Sequence, residues 1–561
     1  MKLNWNRLSL IVVVAIIVGI LSILNVIIGF AKTPHGMVYM WSGHYYLDYF
    51  YYLQFIAQGL RGYWLPHQYS ATDDPSIYFH LQPYIVLGQI GRLFRLSPIA
   101  AYWISVFVLA IILVLLTFFV IREILKDKPF YLQFAALMMA ISAAPFFKLI
   151  SDSSGLRINL FDYWSSYGTF LKRFEPVPHH LLAHIMTLLT LLLCYKYLKN
   201  PEKIITGGLL SAIVVSLFMA TILTFYPFQV VMLFFAIALT TLFYFLKALK
   251  EKKYKKAVSS TVFILTLGGL VFLTGFLVNR FYYQTLFFRS TKGVEIGWRR
   301  FVPPEIVILT FGPAIVLAFF GFKSFLKKVN PLGIMFVAFI TVSFALFYST
   351  LDLLLNTHNG RFLSPIIYIL LAVLAALGIE KIVQTFSLKH KTRAFIILLL
   401  LFLLFSIGPN ISAFAEKLND KNLNSPISYL PKGIIVGFKF LNKQAQKGNV
   451  LLTPSQFLGT VVPAFTDRKT YVARHSATPN YIEKNIQTSN FYLGAMSNDE
   501  AYDFLKKNGL RFVVLTSIEG YDLKALYDYP FLKEIYKNRN ITIFEVKSEL
   551  TGSSKFDIVF L

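Results

Sequence analysis

A series of long apolar runs constrains this chain more than any other feature of its sequence. The runs lie at about residues 8–30, 98–121, 130–150, 179–198, 204–225, 227–246, 258–278, 304–322, 331–350, 365–382 and 394–411. Each is long enough to cross a bilayer as a helix. A composition of 56% hydrophobic and 15% charged residues is also too apolar for an ordinary soluble globule. The sequence therefore predicts a polytopic α-helical membrane protein with about eleven transmembrane helices.

The first run follows Lys2 and Arg7 and, at roughly 23 residues, exceeds the apolar core of a signal peptide. It also lacks a small-residue cleavage pattern, so we expect a retained anchor. The single cysteine, Cys194, excludes an intrachain disulfide and a zinc cluster of thiolates.

The net charge of +26 is distributed over alternate loops between the apolar runs. Basic clusters lie at 121–128, 196–203, 246–256, 323–328 and 387–393. Lys and Arg collect in short cytoplasmic loops, so we expect a cytoplasmic N-terminus, an extracytoplasmic tail and residence in the plasma membrane. These basic residues also suit contact with anionic membrane lipids. Nucleic acid binding requires a basic face, which this spread does not predict.

The same topology places the long loops outside, at about 31–97, 151–178, 279–303 and 351–364. Residues 1–411 are then a transmembrane module, and residues 412–561 an extracytoplasmic soluble α/β domain. In that domain "NVLLTP" (449–454), "RFVVLTS" (511–517) and "ITIFEV" (541–546) predict strands. "SNDEAYDFLKKNG" (497–509) predicts a helix, with a polar cap, acids in its first turn and lysines in its last.

The stretch "GHYYLDYFYYLQ" (43–54) places Asp48 among tyrosines just after the first apolar run. We expect an interfacial helix at about 44–63, on which His44, Asp48 and Tyr52 share one face. Two interpretations remain open. Asp48 is either a solvated surface acid, hydrogen-bonded to His44, or a general base for a lipid-borne substrate.

This arrangement resembles the C-type (GT-C) integral-membrane glycosyltransferase superfamily, over nearly the whole chain in layout. The resemblance rests on "YYLDYFYYLQFIAQG" (45–59), similar to the acidic motif of the first external loop at Asp48, and on "HNGRFLSPIIYILLA" (358–372), similar to an arginine-then-proline stretch entering a late span. Two short juxtamembrane helices, at about 44–63 and 77–94, and a C-terminal external domain fit the same layout. The resemblance implies an enzyme of glycan biosynthesis in the cell envelope that uses a polyprenyl-phosphate or polyprenyl-diphosphate sugar donor. Its second acidic site has several candidates, which are Asp73, Asp74, Asp152 and Asp162.

The chemistry of such a transfer explains these residue types. An acceptor hydroxyl on a glycan, lipid or protein needs a carboxylate to remove its proton, and Asp48 is placed to do so. The leaving lipid phosphate needs cations more than an acid. The candidates to bind the donor phosphate are Arg361, His180, His184, Arg299 and Arg300. For each of them, anchoring at the membrane interface or bonding to a neighbouring span is the alternative.

Metal binding depends on the spare acids in "ATDDPS" (71–76). Asp74 before Pro75 has the pattern of a helix N-cap, which leaves Asp73 free. Asp48 and Asp73 together could hold a divalent cation, but we expect a metal-free transfer with no required cofactor.

Two other function classes stay open. A lipid-linked glycan transporter or flippase predicts a continuous polar path through the spans, whereas their interiors hold almost no ionisable residue. A non-catalytic membrane scaffold predicts no dependence on Asp48.

Overall fold

The computed structural model describes residues 5–42, 45–152, 155–163, 165–199, 204–281, 285, 295–386, 390–418, 427–445, 448–453 and 455–547. His44, which we expected beside Asp48, lies outside the described residues.

Helices dominate the described chain. They are α1 (Trp5–Ser22), α2 (Leu24–Ala31), α3 (Tyr46–Leu60), α4 (Gln82–Leu93), α5 (Pro98–Ile124), α6 (Phe130–Ser142), α7 (Phe170–Arg173), α8 (Pro178–Lys199), α9 (Ile204–Phe225), α10 (Pro227–Lys250), α11 (Tyr254–Phe281), α12 (Pro304–Thr310), α13 (Pro313–Leu326), α14 (Pro331–Phe347), α15 (Leu351–Leu354), α16 (Ile367–Thr385), α17 (Lys391–Leu418), α18 (Lys432–Lys443), α19 (Gln456–Phe465), α20 (Tyr481–Tyr492), α21 (Asn498–Lys507) and α22 (Leu523–Tyr527). The strands are β1 (Met37–Tyr39), β2 (Phe147–Asp152), β3 (Gly155–Leu160), β4 (Tyr429–Pro431), β5 (Asn449–Leu452), β6 (Leu510–Thr516), β7 (Leu532–Asn538) and β8 (Ile541–Val546). Short 3₁₀ turns lie at Phe79–Leu81, Asn359–Phe362 and His475–Ala477.

Within the described residues, eight helices are long and apolar enough to cross a membrane, or nine if the bent pair α12 and α13 counts as one span. Two of the eleven predicted runs form shorter apolar helices, α6 with 13 residues and α14 with 17. The polytopic helical fold is therefore confirmed, although these two helices fall short of the usual spanning length of about 20 residues.

Two predicted spans differ from straight helices for local reasons. The run at 130–150 is helical only to Ser142, because Pro145 follows and residues 147–152 pair with β3 as a hairpin. The run at 304–322 bends by 91° between α12 and α13. Gly312 lies at that bend with φ +56°, and a Cβ atom there would come within 1.9 Å of the Ala144 carbonyl oxygen. Only glycine fits this position.

The chain forms two compact units. The first comprises Met1–Asn25, Trp103–Gln284 and Thr291–Asn419. Within it, α13 and α16 cross at two glycines. A Cβ atom at Gly378 would come within 1.9 Å of the Leu317 carbonyl oxygen, and one at Gly321 within 1.9 Å of the Leu374 carbonyl oxygen. The absence of side chains lets the two backbones approach closely, as in other membrane helix pairs.

The second unit comprises Val26–Tyr102, Thr285–Ser290 and Asp420–Leu561. Its four-stranded sheet has the order β5-β6-β8-β7, with β5 parallel to β6 and the other pairs antiparallel. Helices α20 and α21 contribute Phe491, Tyr492 and Leu505 to the core beside this sheet. The C-terminal α/β architecture is thus confirmed, including the three predicted strands and the helix that Ser497 and Glu500 start with a capping box.

This second unit is discontinuous in sequence. Strand β1 pairs with β4, and α3 packs against both α4 and α19. The sequence alone assigned residues 31–97 to the membrane module, whereas the structure groups them with the C-terminal residues. The contacts that group these residues join distant parts of the chain, so no local sequence pattern predicts them.

Candidate active site

Asp48 lies in the first turn of α3, where the helix dipole favours an acid. The neighbouring residues Leu47, Tyr49 and Phe50 are buried and fix the helix in place. The Asp48 side chain is 32% exposed. A buried helix thus holds one carboxylate at the surface of the second unit.

Arg474 forms an ion pair with Asp48, through Nη1 and Oδ1. Its guanidinium also lies over the Tyr51 ring, 5.5 Å from the ring centroid. Burial lowers the pKa of Arg474, but the charge of Asp48 together with those of Tyr52, Tyr51 and Tyr45 raises it above its usual value. Within the described residues, Oδ2 of Asp48 receives no hydrogen bond from protein. Sequence reasoning missed Arg474, because it lies in the tail without any recognisable motif.

The other acids of "ATDDPS" are occupied. Asp73 pairs with Lys484 at 2.5 Å. Asp74 is 1% exposed and accepts hydrogen bonds from the Ser76 N–H, at 2.9 Å, and from the Tyr78 hydroxyl. The prediction that Asp74 is a helix N-cap is wrong, since no helix begins there and its carboxylate closes a local turn instead.

In the first unit, Asp162 pairs with Lys172 at 2.7 Å and accepts hydrogen bonds from the Tyr163 N–H and the Ser166 hydroxyl. Asp152 ends β2, opposite Gly155. Among the described residues no group of three or more His, Cys, Asp or Glu side chains is placed to hold a metal ion. Asp48 and Asp73 each have a protein cation as partner.

The Arg361 guanidinium donates hydrogen bonds to both oxygens of the Glu295 carboxylate. Its Nη2 donates to Oε1 at 2.7 Å and its Nε to Oε2 at 3.4 Å. Burial raises the pKa of the Glu295 carboxyl, but the charge and hydrogen bond of Arg361, with help from His358 and Thr357, bring it below its usual value. Burial lowers the pKa of Arg361, and Glu295 raises it well above its usual value. Both shifts favour the ionised forms of the two side chains.

The structure brings three of the predicted phosphate-binding residues together around Tyr226. The Tyr226 ring lies 5.1 Å from the His180 ring and 6.1 Å from the His184 ring, and the charge of Arg361 acts on its hydroxyl. His180 Nδ1 lies 2.7 Å from Glu175 Oε2. His184 is 3% exposed, and its Nδ1 has no hydrogen-bond partner in the described part of the chain. We call Tyr226 and the three residues around it, Arg361, His180 and His184, the Tyr226 cluster.

Arg299 and Arg300 differ from each other. Arg299 donates from Nε to Asp352 Oδ2 at 2.6 Å, and Asp352 is fully buried, so this arginine stabilises the fold. Arg300 is exposed, and its backbone exchanges hydrogen bonds with the Asn359 side chain. Its guanidinium forms no ion pair with any residue that the structure describes.

No protein-family model and no curated protein sequence matches this chain. Solved structures do match. ArnT from Cupriavidus metallidurans, bound to undecaprenyl phosphate, aligns with a TM-score of 0.52 and 12% identity over 98% of this chain and 100% of that one. The mycobacterial arabinofuranosyltransferase AftD aligns with a TM-score of 0.54 and 14% identity over 98% of this chain and 40% of that one. An oligosaccharyltransferase of Archaeoglobus fulgidus aligns with a TM-score of 0.49 and 13% identity over 91% and 69%.

Such identities show a common fold. The chain has the polytopic fold of ArnT and AftD, as the layout of its sequence predicts.

Proposed function

We propose that this chain is a membrane glycosyltransferase that moves a sugar from a polyprenyl-phosphate-linked donor to an acceptor hydroxyl, with Asp48 as general base. The observation that carries the proposal is a carboxylate that is 32% exposed and has one oxygen to which no described residue donates a hydrogen bond. It lies in a chain whose fold matches, end to end, that of a protein with bound undecaprenyl phosphate. AftD, which is named as an arabinofuranosyltransferase, supports the same class.

The proposed reaction is a single inverting displacement. The acceptor oxygen forms a bond to the anomeric carbon as the bond from that carbon to the phosphate oxygen breaks. The hydroxyl proton passes to Asp48, and the polyprenyl phosphate leaves as an anion. No metal or cofactor is required by this scheme, although a diphosphate donor would increase the need for cations.

We assign donor phosphate binding to the Tyr226 cluster, namely Arg361, His180 and His184, and to the exposed Arg300. Glu295 takes Nε and Nη2 of Arg361 and fixes the plane of its guanidinium, so a phosphate would bind the remaining N–H groups. Arg299 receives no role in binding because its partner Asp352 is fully buried and would be left without a cation. Asp73, Asp152 and Asp162 are the next acids to test if Asp48 is not the base.

The direct test incubates purified protein with a panel of radiolabelled polyprenyl-phosphate sugars and an acceptor extract from envelope glycans, lipids and proteins. We expect transfer of label from one donor, with release of the polyprenyl phosphate. Movement of an intact lipid-linked glycan across vesicle membranes without transfer would favour a flippase. Absence of both activities, with normal folding, would favour a scaffold.

The proposed site faces the extracytoplasmic side of the plasma membrane, with the N-terminus in the cytoplasm. This orientation follows from the basic loops at 121–128, 246–256 and 323–328. A reporter that is active only in the cytoplasm should be silent when fused after Leu561. A matched fusion in the 246–256 loop should be active, and the reverse pattern would overturn the orientation.

A further inference from the structure

We propose that Arg474 is a positioning residue for Asp48, so that the C-terminal α/β residues supply part of the machinery that prepares the general base. This inference rests on the proposed function of Asp48. It is carried by one contact, in which Nη1 of Arg474 pairs with Oδ1 of Asp48.

The segment that carries Arg474 is held at both of its ends. At one end, the Thr470 N–H and hydroxyl both donate to the Tyr69 carbonyl oxygen, at 2.9 and 3.3 Å. At the other end, the Thr478 hydroxyl donates to the Ser70 carbonyl oxygen at 3.0 Å and accepts the Ala473 N–H at 3.2 Å. Four hydrogen bonds therefore fix the backbone on either side of Arg474.

The arginine is more enclosed than its partner. Its side chain is 16% exposed, against 32% for Asp48, and the Tyr51 ring lies beneath the guanidinium. A cation held in this way loses little conformational freedom when it pairs, so its position is set before any substrate binds. Asp48 is thereby attached through Oδ1, while Oδ2 receives no hydrogen bond from the part of the chain that the structure describes and would accept the proton of the acceptor hydroxyl.

The contact has one consequence for a general base. It fixes the direction of the second carboxylate oxygen, and misplacement of a catalytic group by 1 Å can cost about 100-fold in rate.

Other charged or titratable groups near the pair are few among the described residues. Tyr45, just before α3, and Tyr51 and Tyr52 on that helix act on Arg474 through their charges, and the Arg474 segment adds His475. Helix α19, which packs on α3, has no titratable side chain. The one charged residue of α4 is Arg92, whose Nη1 would lie 2.7 Å from a Cβ atom at Gly62, beyond the far end of α3. Arg474 is therefore the main electrostatic partner of Asp48.

The test compares kcat and the KM for the donor in Arg474→Gln, Arg474→Lys and the unaltered protein. We expect kcat of Arg474→Gln to fall by up to about 100-fold while the donor KM stays in place, because the carboxylate is misplaced and donor binding is not touched. Arg474→Lys keeps the charge but loses the planar guanidinium over Tyr51, so its kcat should recover only in part and stay roughly tenfold or more below that of the unaltered protein. Arg511→Gln is the matched control, since Arg511 forms an ion pair with Glu545 elsewhere in the same unit. It should leave both quantities unchanged.

Thermal unfolding of each variant separates a folding defect from a defect in positioning. A folded Arg474→Gln protein with an unaltered kcat would overturn the inference. If that variant does not fold, an Arg474→Lys protein with an unaltered kcat would overturn it instead. Full activity of Asp48→Asn would overturn the proposed function, whereas inactivity of Asp48→Asn beside normal Arg474 variants would remove only the role of Arg474.

Discussion

The two units each contain an ion pair between a carboxylate and an arginine, and the pairs differ in what they leave open. In the Asp48–Arg474 pair the acid is the more exposed partner, at 32% against 16%. In the Glu295–Arg361 pair the exposures are nearly equal, at 24% and 26%, and both carboxylate oxygens accept hydrogen bonds from Arg361. Thr357 adds a further bond to Oε2 at 3.1 Å.

This difference separates two tasks that the same residue types can perform. No described residue donates a hydrogen bond to Oδ2 of Asp48, which is what the proposed role as proton acceptor requires. A carboxylate with both oxygens occupied holds its arginine in one orientation, so Glu295 suits the preparation of Arg361. An ion pair alone does not distinguish a proton acceptor from a residue that orients an arginine. The hydrogen bonds to the carboxylate oxygens make that distinction.

The largest expected effect belongs to Asp48→Asn, which keeps shape and hydrogen bonding but removes the proton acceptor. The rate of transfer should fall by about 10² to 10⁴ without a change in thermal unfolding. Glu545→Gln, from the Glu545–Arg511 pair, is the control and should transfer at the normal rate. If Glu295→Gln lost as much kcat as Asp48→Asn, the distinction between the two pairs would break down.

Arg361→Lys tests the other pair. It keeps the charge and loses the two-pronged fork, so donor binding should weaken by about 1–3 kcal/mol, as judged from the KM for the donor. Arg299→Lys is the matched control in the same unit, since Arg299 is occupied by Asp352. Equal donor binding by Arg361→Lys and the unaltered protein would reduce Arg361 to a membrane-interface anchor.

His358 makes the Glu295–Arg361 region sensitive to acid. Burial and the charge of Arg361 lower the pKa of His358 from 6.5 to about 4, although Glu295 raises it. As the pH falls, the unfolded chain takes up this proton first. The stability that the neutral histidine contributes is therefore complete above about pH 6.5 and is lost between about pH 6.5 and 4.

The measurement is the melting temperature as a function of pH. His358→Gln should flatten the decline between these pH values, and His390→Gln, at an exposed position, should not. A decline that is equally steep in His358→Gln would show that other groups cause it.

The smallest effect is expected on removal of divalent cations. Asp48 and Asp73 are paired with Arg474 and Lys484, so each acid already has a positive partner. Transfer in the presence of EDTA should equal transfer with added Mg²⁺ or Mn²⁺. Loss of activity in EDTA, restored by one of these ions, would contradict this prediction and place a cation between the acid and the donor.

Local patterns in the sequence predicted local structure well. The capping box at Ser497 and Glu500, the strands β5, β6 and β8, and the two short helices α3 and α4 lie close to where the sequence placed them. The prediction for Asp74 was wrong because an acid before proline serves a turn as well as a helix start. The sequence predicted one span at 130–150 because its apolar residues continue from α6 into β2. In such a continuous apolar run, hydrophobic periodicity does not distinguish a helix from a strand.

The candidate site was less predictable than the fold. Asp48 stood out because a lone acid among tyrosines is unusual, and Arg361 because it precedes a span. The sequence around Arg474 and Glu295 contains no such signal. Each residue stands out only through its ion pair, and the partner in that pair lies far away in the sequence. Sequence therefore indicates which residues are chemically unusual, while their partners emerge only from tertiary contacts.

The pairing of β1 with β4 has a consequence for how the protein is made. Residues 37–39 leave the ribosome long before residues 429–431, so the second unit stays incomplete until nearly the whole chain has been synthesised. During that interval Tyr46 and Phe50 on α3 lack Phe457, the aromatic side chain of α19 that later covers them. Until then, the bilayer or a chaperone must cover this apolar surface of the nascent protein. A chain whose synthesis stops after α17 lacks Phe457 and leaves the surface uncovered.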